Sequence, residues 1–170
     1  MKDNEEIGVE GATVEAHFTP GHAKDHLAFR LKEENTIFSA DCILGEGSVV
    51  FEDLLSYLNS LNKLLTMQPN KLYPGHGPVI ENPPMKIREY IERRMQRENQ
   101  ILNILDKKQG QAMTTLDIVN QMYEGLSREL IFGAEHNVKH HIEKLLKEGR
   151  VEEVEQHFED TLIPKFRIKL

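Results

Sequence analysis

A chain of 170 residues is long enough for one ordinary domain, or for a partial domain with a small second one, and its formal charge of −7 and pI near 5.6 exclude a protein whose whole surface clamps nucleic acid. A single cysteine permits no internal disulfide, which fits a reducing compartment and leaves the fold dependent on packing or metal. No apolar run approaches a membrane span, and the start Met1-Lys2-Asp3-Asn4-Glu5-Glu6 is too acidic for a secretory or mitochondrial leader.

In chain order, Ala12, Val14, Ala16 and Phe18 alternate with Thr13, Glu15 and His17, the period of a half-buried strand. Leu27, Phe29 and Leu31 repeat the pattern, and after the polar turn Glu33-Glu34-Asn35 a more buried strand is expected from Thr36 to Ala40, closing a hairpin. Leu54, Leu55, Leu58, Leu61, Leu64 and Leu65 recur at helical spacing between Glu52 and Met67, and Pro69 ends the run. A short strand from Lys71 to Tyr73 leads into the loop Pro74-Gly75-His76-Gly77-Pro78. After Pro83-Pro84 the chain predicts one long charged helix, Met85 to Lys107, with Ile87, Tyr90, Ile91, Arg94, Met95, Ile101, Leu102 and Leu105 along one stripe.

Thr114, with Asp117 three residues on, starts the next helix by the capping pattern. A further helix from Ser127 to Glu148 buries Val138, Ile142, Leu145 and Leu146, and Gly149 stops it. Val151 and Val154, a polar turn around His157 to Thr161, and Phe166, Ile168 and Leu170 then form a hairpin. Two helices followed by a two-stranded hairpin is the order of a winged helix-turn-helix. The expected division is therefore a partial α/β domain over residues 1–84, a linking helix over 85–111 and a winged-helix-like domain over 112–170.

Three residues carry the candidate chemistry. His22 follows Thr19-Pro20-Gly21, Asp41 ends Ile37-Phe38-Ser39-Ala40, and His76 follows Leu72-Tyr73-Pro74-Gly75, so each stands where a strand gives way to a loop. Loops at one end of a sheet hold side chains on a rigid base, and the neighbouring glycines let the backbone turn sharply. Imidazole and carboxylate together suit Zn²⁺, and also Mn²⁺ or Fe, and a carboxylate can bridge two cations. Such ions lower the pKa of bound water to about 7 and so create a nucleophile. Taken singly, either histidine is an ordinary loop residue and Asp41 a strand-end cap; the joint pattern points to metal. Cys42 has no cationic neighbour in sequence and reads as a buried structural thiol. Lys165, Arg167 and Lys169 line one face of the last strand and could follow a phosphate backbone, although Glu152, Glu153, Glu155, Glu159 and Asp160 in the same hairpin suit a plain solvated face equally well.

Thr19-Pro20-Gly21-His22, Phe38-Ser39-Ala40-Asp41 and Tyr73-Pro74-Gly75-His76-Gly77-Pro78 resemble, in order and spacing, the last three ligand motifs of the metallo-β-lactamase superfamily. The stretches Thr19 to Leu27 and Ala40 to Leu54, with the winged tail, are most similar to its mitochondrial endoribonucleases. That resemblance implies an α/β (α+β) fold: the C-terminal half of an αββα sandwich, followed by a winged helix. It implies a metal-dependent hydrolase of single-stranded RNA, with two Zn²⁺ ions, or Mn²⁺, in the complete site. His22 is then a ligand of the first metal, Asp41 the bridging and catalytic carboxylate, and His76 a ligand of the second. His26, by its position, reads either as a group behind the His22 loop or as an exposed loop residue. A matrix location follows from the resemblance, a cytoplasmic one being the alternative.

The family's first motif, His-x-His-x-Asp-His, is absent from this sequence, and His17 and His26 are not spaced to replace it. One of the two facing sheets is therefore expected to be missing, with the chain self-associating or pairing with an N-terminal half and showing little activity alone. Two other readings stand beside this one: a non-catalytic module that binds RNA or a partner through its tail, and a thioester hydrolase of the glyoxalase type.

Overall fold

Gly11, at a φ of 83°, turns strand β1 (Glu6–Val9) back onto β2 (Ala12–Phe18). The first strand is absent from the sequence reading above, although Ile7 and Val9 alternate with polar residues ahead of that turn. The computed structural model describes residues 1–154, 157–158 and 161–169, so Glu155, Gln156, Glu159, Asp160 and Leu170 lie outside the described residues. Two compact units divide the chain between Arg93 and Arg94.

In the first unit, β3 (Leu27–Leu31) and β4 (Thr36–Ala40) form the expected hairpin, with Asn35 in the left-handed region at its turn. Helix α1 (Leu54–Thr66) crosses over to β5 (Lys71–Pro74), which pairs parallel to β4. The five strands lie in the order β1-β2-β3-β4-β5. The Asp53 carboxylate caps α1 by accepting from the Ser56 amide at 2.7 Å.

One face of the sheet carries the core. Ala28, Ile37 and Leu72 pack with Leu54, Tyr57, Leu61 and Leu64 of α1 and with Ile87 and Tyr90. Tyr57, which the leucine spacing passes over, is fully buried and donates its hydroxyl to the Cys42 carbonyl at 2.9 Å. Cross-strand partners put Ile7, Val14, Leu31, Ala16, Phe29, Phe38 and Tyr73 on the opposite face. There Ile7, Val9, Phe18 and Phe38 stay exposed, with Val9 at 73 %, and the Phe38 and Tyr73 rings stack at 5.4 Å. The alternation of β2 does not sort its sides by burial: Ala16 of the apolar set and His17 of the polar set, bonded to Glu15 at 3.1 Å, are both buried, and Phe18 is exposed.

Helix α2 (Pro83–Lys107) begins two residues before its predicted start, because a proline is tolerated in a first turn whose amides have no helical acceptor, and Asn82 accepts from the Met85 amide at 3.2 Å. Its residues after Arg93 belong to the second unit. There they join α3 (Thr115–Met122) and α4 (Arg128–Lys147) around Ile101, Leu105, Ile118, Val119, Val138, Ile142 and Leu145.

Thr114 and Asp117 make the expected reciprocal capping box, and Gly149, at a φ of 68°, follows the end of α4. β6 (Val151–Val154) pairs antiparallel with β9 (Lys165–Ile168); β7 (His157–Phe158) pairs with β8 (Thr161–Leu162). Met113 bridges to Phe166 through two backbone hydrogen bonds. No described helix is long and apolar enough to cross a membrane.

Candidate metal centre

The loop that carries His22 is fastened to α1. The Gly21 carbonyl accepts from the Glu52 amide at 2.7 Å and the Pro20 carbonyl from the Ser60 hydroxyl at 2.7 Å. Gly21 lies so close to Tyr57 that a Cβ there would overlap the tyrosine backbone, and its φ of 130° also disfavours an L side chain. The Val50 carbonyl, 2.7 Å from His22 Nδ1, can only accept, so Nδ1 carries the proton and, in the neutral ring, Nε2 holds the lone pair.

Asp41 is aimed by the end of β4. The ladder with β5 shifts register between Phe38 and Ala40, and Ala40 takes a φ of 43°, a conformation that a residue with a Cβ adopts at a cost. The Gly75 amide donates to the Ala40 carbonyl at 2.9 Å, and a Cβ on Gly75 would stand 2.7 Å from Asp41 Oδ1. Bare backbone at Gly75 is what lets the carboxylate and the His76 loop share this space. The His76 carbonyl in turn accepts from the Gly45 amide at 2.9 Å.

The structure brings His22, Asp41 and His76 together. His22 Nε2 stands 3.9 Å from Asp41 Oδ2, and His76 Nε2 stands 3.4 Å from Asp41 Oδ1. Each imidazole therefore addresses its own carboxylate oxygen, and neither contact is a hydrogen bond. Two ligands about 2.1 Å from one tetrahedral ion stand roughly 3.4 Å apart, so the spacing leaves room for a cation at each oxygen. Among the described residues no three such side chains are grouped to hold a single ion. The donor set suits metal, with two imidazoles and one carboxylate, but it supplies each cation with only two protein ligands.

His26 sits behind His22, edge-on at 5.9 Å between ring centroids, with Nδ1 2.8 Å from the Thr19 hydroxyl. Its Nε2 is buried with no protein partner, and burial pushes its pKa below the ordinary value. Cys42 is fully buried and its pKa is pushed up to about 12 by desolvation, which removes it as a nucleophile. Lys165, Arg167 and Lys169 are in the second unit, where Arg167 is engaged by Glu152 at 2.6 Å. Sequence reasoning missed Val50 and the left-handed Ala40: a main-chain acceptor 28 residues away leaves no mark in composition.

Residues 2–76 match the family model described as metallo-beta-lactamase superfamily, and residues 114–160 match that of the beta-lactamase associated winged helix domain. A Beta-lactamase-like protein 2 homolog of Caenorhabditis elegans is 45 % identical over 159 residues, 94 % of this chain and 52 % of the relative. An Atrochrysone carboxyl ACP thioesterase of Aspergillus fumigatus is 43 % identical over 77 % of this chain and 42 % of its own length. The crystal structure of a beta-lactamase domain protein from Burkholderia ambifaria superposes with a TM-score of 0.82 at 19 % identity, covering 99 % of this chain and 52 % of that one. The chain thus spans about half the length of the curated relatives it matches. Residues 2–76 thus carry a segment of a metallo-β-lactamase superfamily domain, and residues 114–160 the winged helix associated with that family.

Proposed function

We propose that this chain contributes one wall of a two-metal hydrolytic centre that cleaves single-stranded RNA, with His22 and His76 each holding one ion and the Asp41 carboxylate bridging them. The observation that carries this reading is the facing of two imidazole Nε2 atoms onto the two separate oxygens of one aspartate. When bound, the ions supply Lewis acidity toward the scissile phosphate and acidify the attacking water, as Zn²⁺ or Mn²⁺ does in such sites. The chain's own part is to hold the ligands in place: Val50 fixes the tautomer of His22, and the backbone at Ala40 and Gly75 fixes the carboxylate. The remaining ligands would come from a segment bearing His-x-His-x-Asp-His. The winged helix favours a nucleic-acid substrate, since helix-turn-helix units dock on phosphate backbones, with Lys165, Arg167 and Lys169 as its cationic contacts.

Thioester hydrolysis is the second reading, favoured by the thioesterase among the relatives at 43 % identity. Fold does not choose between these substrates. The deciding assay joins the chain to an N-terminal segment carrying His-x-His-x-Asp-His and offers single-stranded RNA and an acyl thioester in parallel, with Zn²⁺ or Mn²⁺. Cleavage of RNA that disappears in Asp41→Ala and in chelator is expected. Hydrolysis of the thioester alone would transfer the site to the second reading, and robust cleavage by the unjoined chain would show that the ligands supplied here suffice.

A further inference from the structure

Outside the centre around Asp41, one pair of side chains in the second unit is arranged as metal ligands are. His136 and His140 lie four residues apart on α4, so one helical turn places both rings on the same face. Their Nε2 atoms are 3.1 Å apart, and the rings meet edge-on at 80° with centroids 4.5 Å apart. Two nitrogens each about 2.1 Å from one ion and at right to tetrahedral angles stand roughly 3.0 to 3.4 Å apart, so this pair is already at ligand spacing.

Two ring nitrogens facing each other need something positive between them. Either one ring donates an N–H to the other, or a cation takes the place of that proton. Glu143 bears on which nitrogen of His140 carries the lone pair: its Oε2 stands 3.5 Å from His140 Nδ1, on the far side of the ring from His136. An anion beside the outer nitrogen, at ion-pair distance and short of a hydrogen bond, favours the proton there and leaves Nε2 as the lone-pair atom a cation can take, as outer partners of metal-ligating histidines do. His136 is exposed, so the pair is open to solvent on one side and water can complete the coordination sphere.

We propose that His136 and His140 form a two-histidine site on α4 for a late first-row divalent cation such as Cu²⁺, Zn²⁺ or Ni²⁺, sharing no residue with the centre around Asp41. Imidazole ligands and the general affinity order place Cu²⁺ tightest. A cation there ties one turn of α4 together and stabilises the folded second unit by mass action.

Cu²⁺ is the probe, titrated into the full chain and followed by electron paramagnetic resonance and by broadening of backbone amide signals. In the unaltered chain and in Asp41→Ala, nitrogen hyperfine structure from two imidazoles and broadening of amides around residues 133–143 are expected at low metal. In His136→Ala the affinity should fall about tenfold or more, at least the loss seen when even an outer partner of a ligand is removed, and the broadening on α4 should vanish. His140→Gln is the second variant, and circular dichroism confirms that each remains helical. Broadening that spares α4 in the unaltered chain, or that persists unchanged in both histidine variants, would leave the pair as an N–H···N hydrogen bond and overturn the proposal.

Discussion

Asp41 owes its position to its neighbours more than to itself. Gly75→Ala would put a methyl 2.7 Å from Asp41 Oδ1 and 3.1 Å from the Ala40 carbonyl carbon, and the side chain is the part able to yield. Metal affinity measured by calorimetric titration should therefore drop sharply, while the thermal midpoint of the first unit moves little. Ala40→Val tests the same corner, since a β-branched residue at a φ of 43° should cost about 1–2 kcal/mol of stability, and Ala40→Gly should cost nothing comparable. The three ligand candidates were legible because a histidine or aspartate beside glycine and proline at a strand end is a local pattern. The groups that orient them were not, since Val50 meets His22 only through the tertiary fold. His141 was equally invisible: it is fully buried with neither ring nitrogen bonded, and burial, then Arg94, Arg97 and Lys144, lower its pKa to about 3. Its unfolded pKa is near 6.5, so between these values the unfolded chain binds about one proton more than the folded one. The stability this group contributes is therefore complete above pH 6.5 and is lost progressively as pH falls toward 3. His141→Phe should flatten the pH dependence of urea unfolding across that window; an unchanged slope would assign the acid sensitivity to other groups.

Among the elements, α2 shows how far periodicity reads and where it stops. Its apolar stripe located Ile87, Tyr90, Ile101 and Leu105 correctly, all of them buried. It could not mark Glu98, which is fully buried on the same helix because Lys144 Nζ donates to it at 2.6 Å and Arg150 at 2.5 Å. A charge enters a core only with partners, and those partners lie 46 and 52 residues on, beyond any local window. Glu98→Ala should lower unfolding free energy by about 3–5 kcal/mol, because Lys144, itself buried, loses one of its two carboxylates. The double replacement Glu98→Met with Lys144→Met should recover much of that loss, since apolar groups of similar size remove the uncompensated charge. Denaturant melts of the three variants check both statements. Strand faces fail for a related reason: alternation identifies two sides of β2 but not which side has a neighbour. The capping box at Thr114 and the stop at Gly149 were readable because their chemistry is local.

At the scale of the whole molecule, the sheet of the first unit is dressed on one side. α1 and the start of α2 cover the face of Ala28, Ile37 and Leu72, while Ile7, Val9, Phe18 and Phe38 remain exposed at 54 %, 73 %, 41 % and 43 %. Apolar side chains gathered on one face are more than the scattered hydrophobics every surface carries, and such a patch favours association. Edge strand β1 adds to this, since it presents unpaired backbone groups beside Ile7 and Val9. The chain spans about half of its relatives' length, 52 % in the Caenorhabditis elegans relative, and a second sheet laid on this face would occupy it. The isolated 170-residue chain should accordingly bind a hydrophobic dye and show a sedimentation coefficient that rises with concentration. Val9→Lys combined with Phe38→Lys places two charges on the open face without touching the α1 side, and should shift the chain toward monomer and reduce dye fluorescence. The same pair of substitutions should weaken joining to an N-terminal segment supplied in trans, because the surface lost to self-association is the one that segment would cover. A chain that sediments as a monomer at every concentration, with no dye signal before substitution, would show that this face is adequately solvated and that the sheet does not need a second layer.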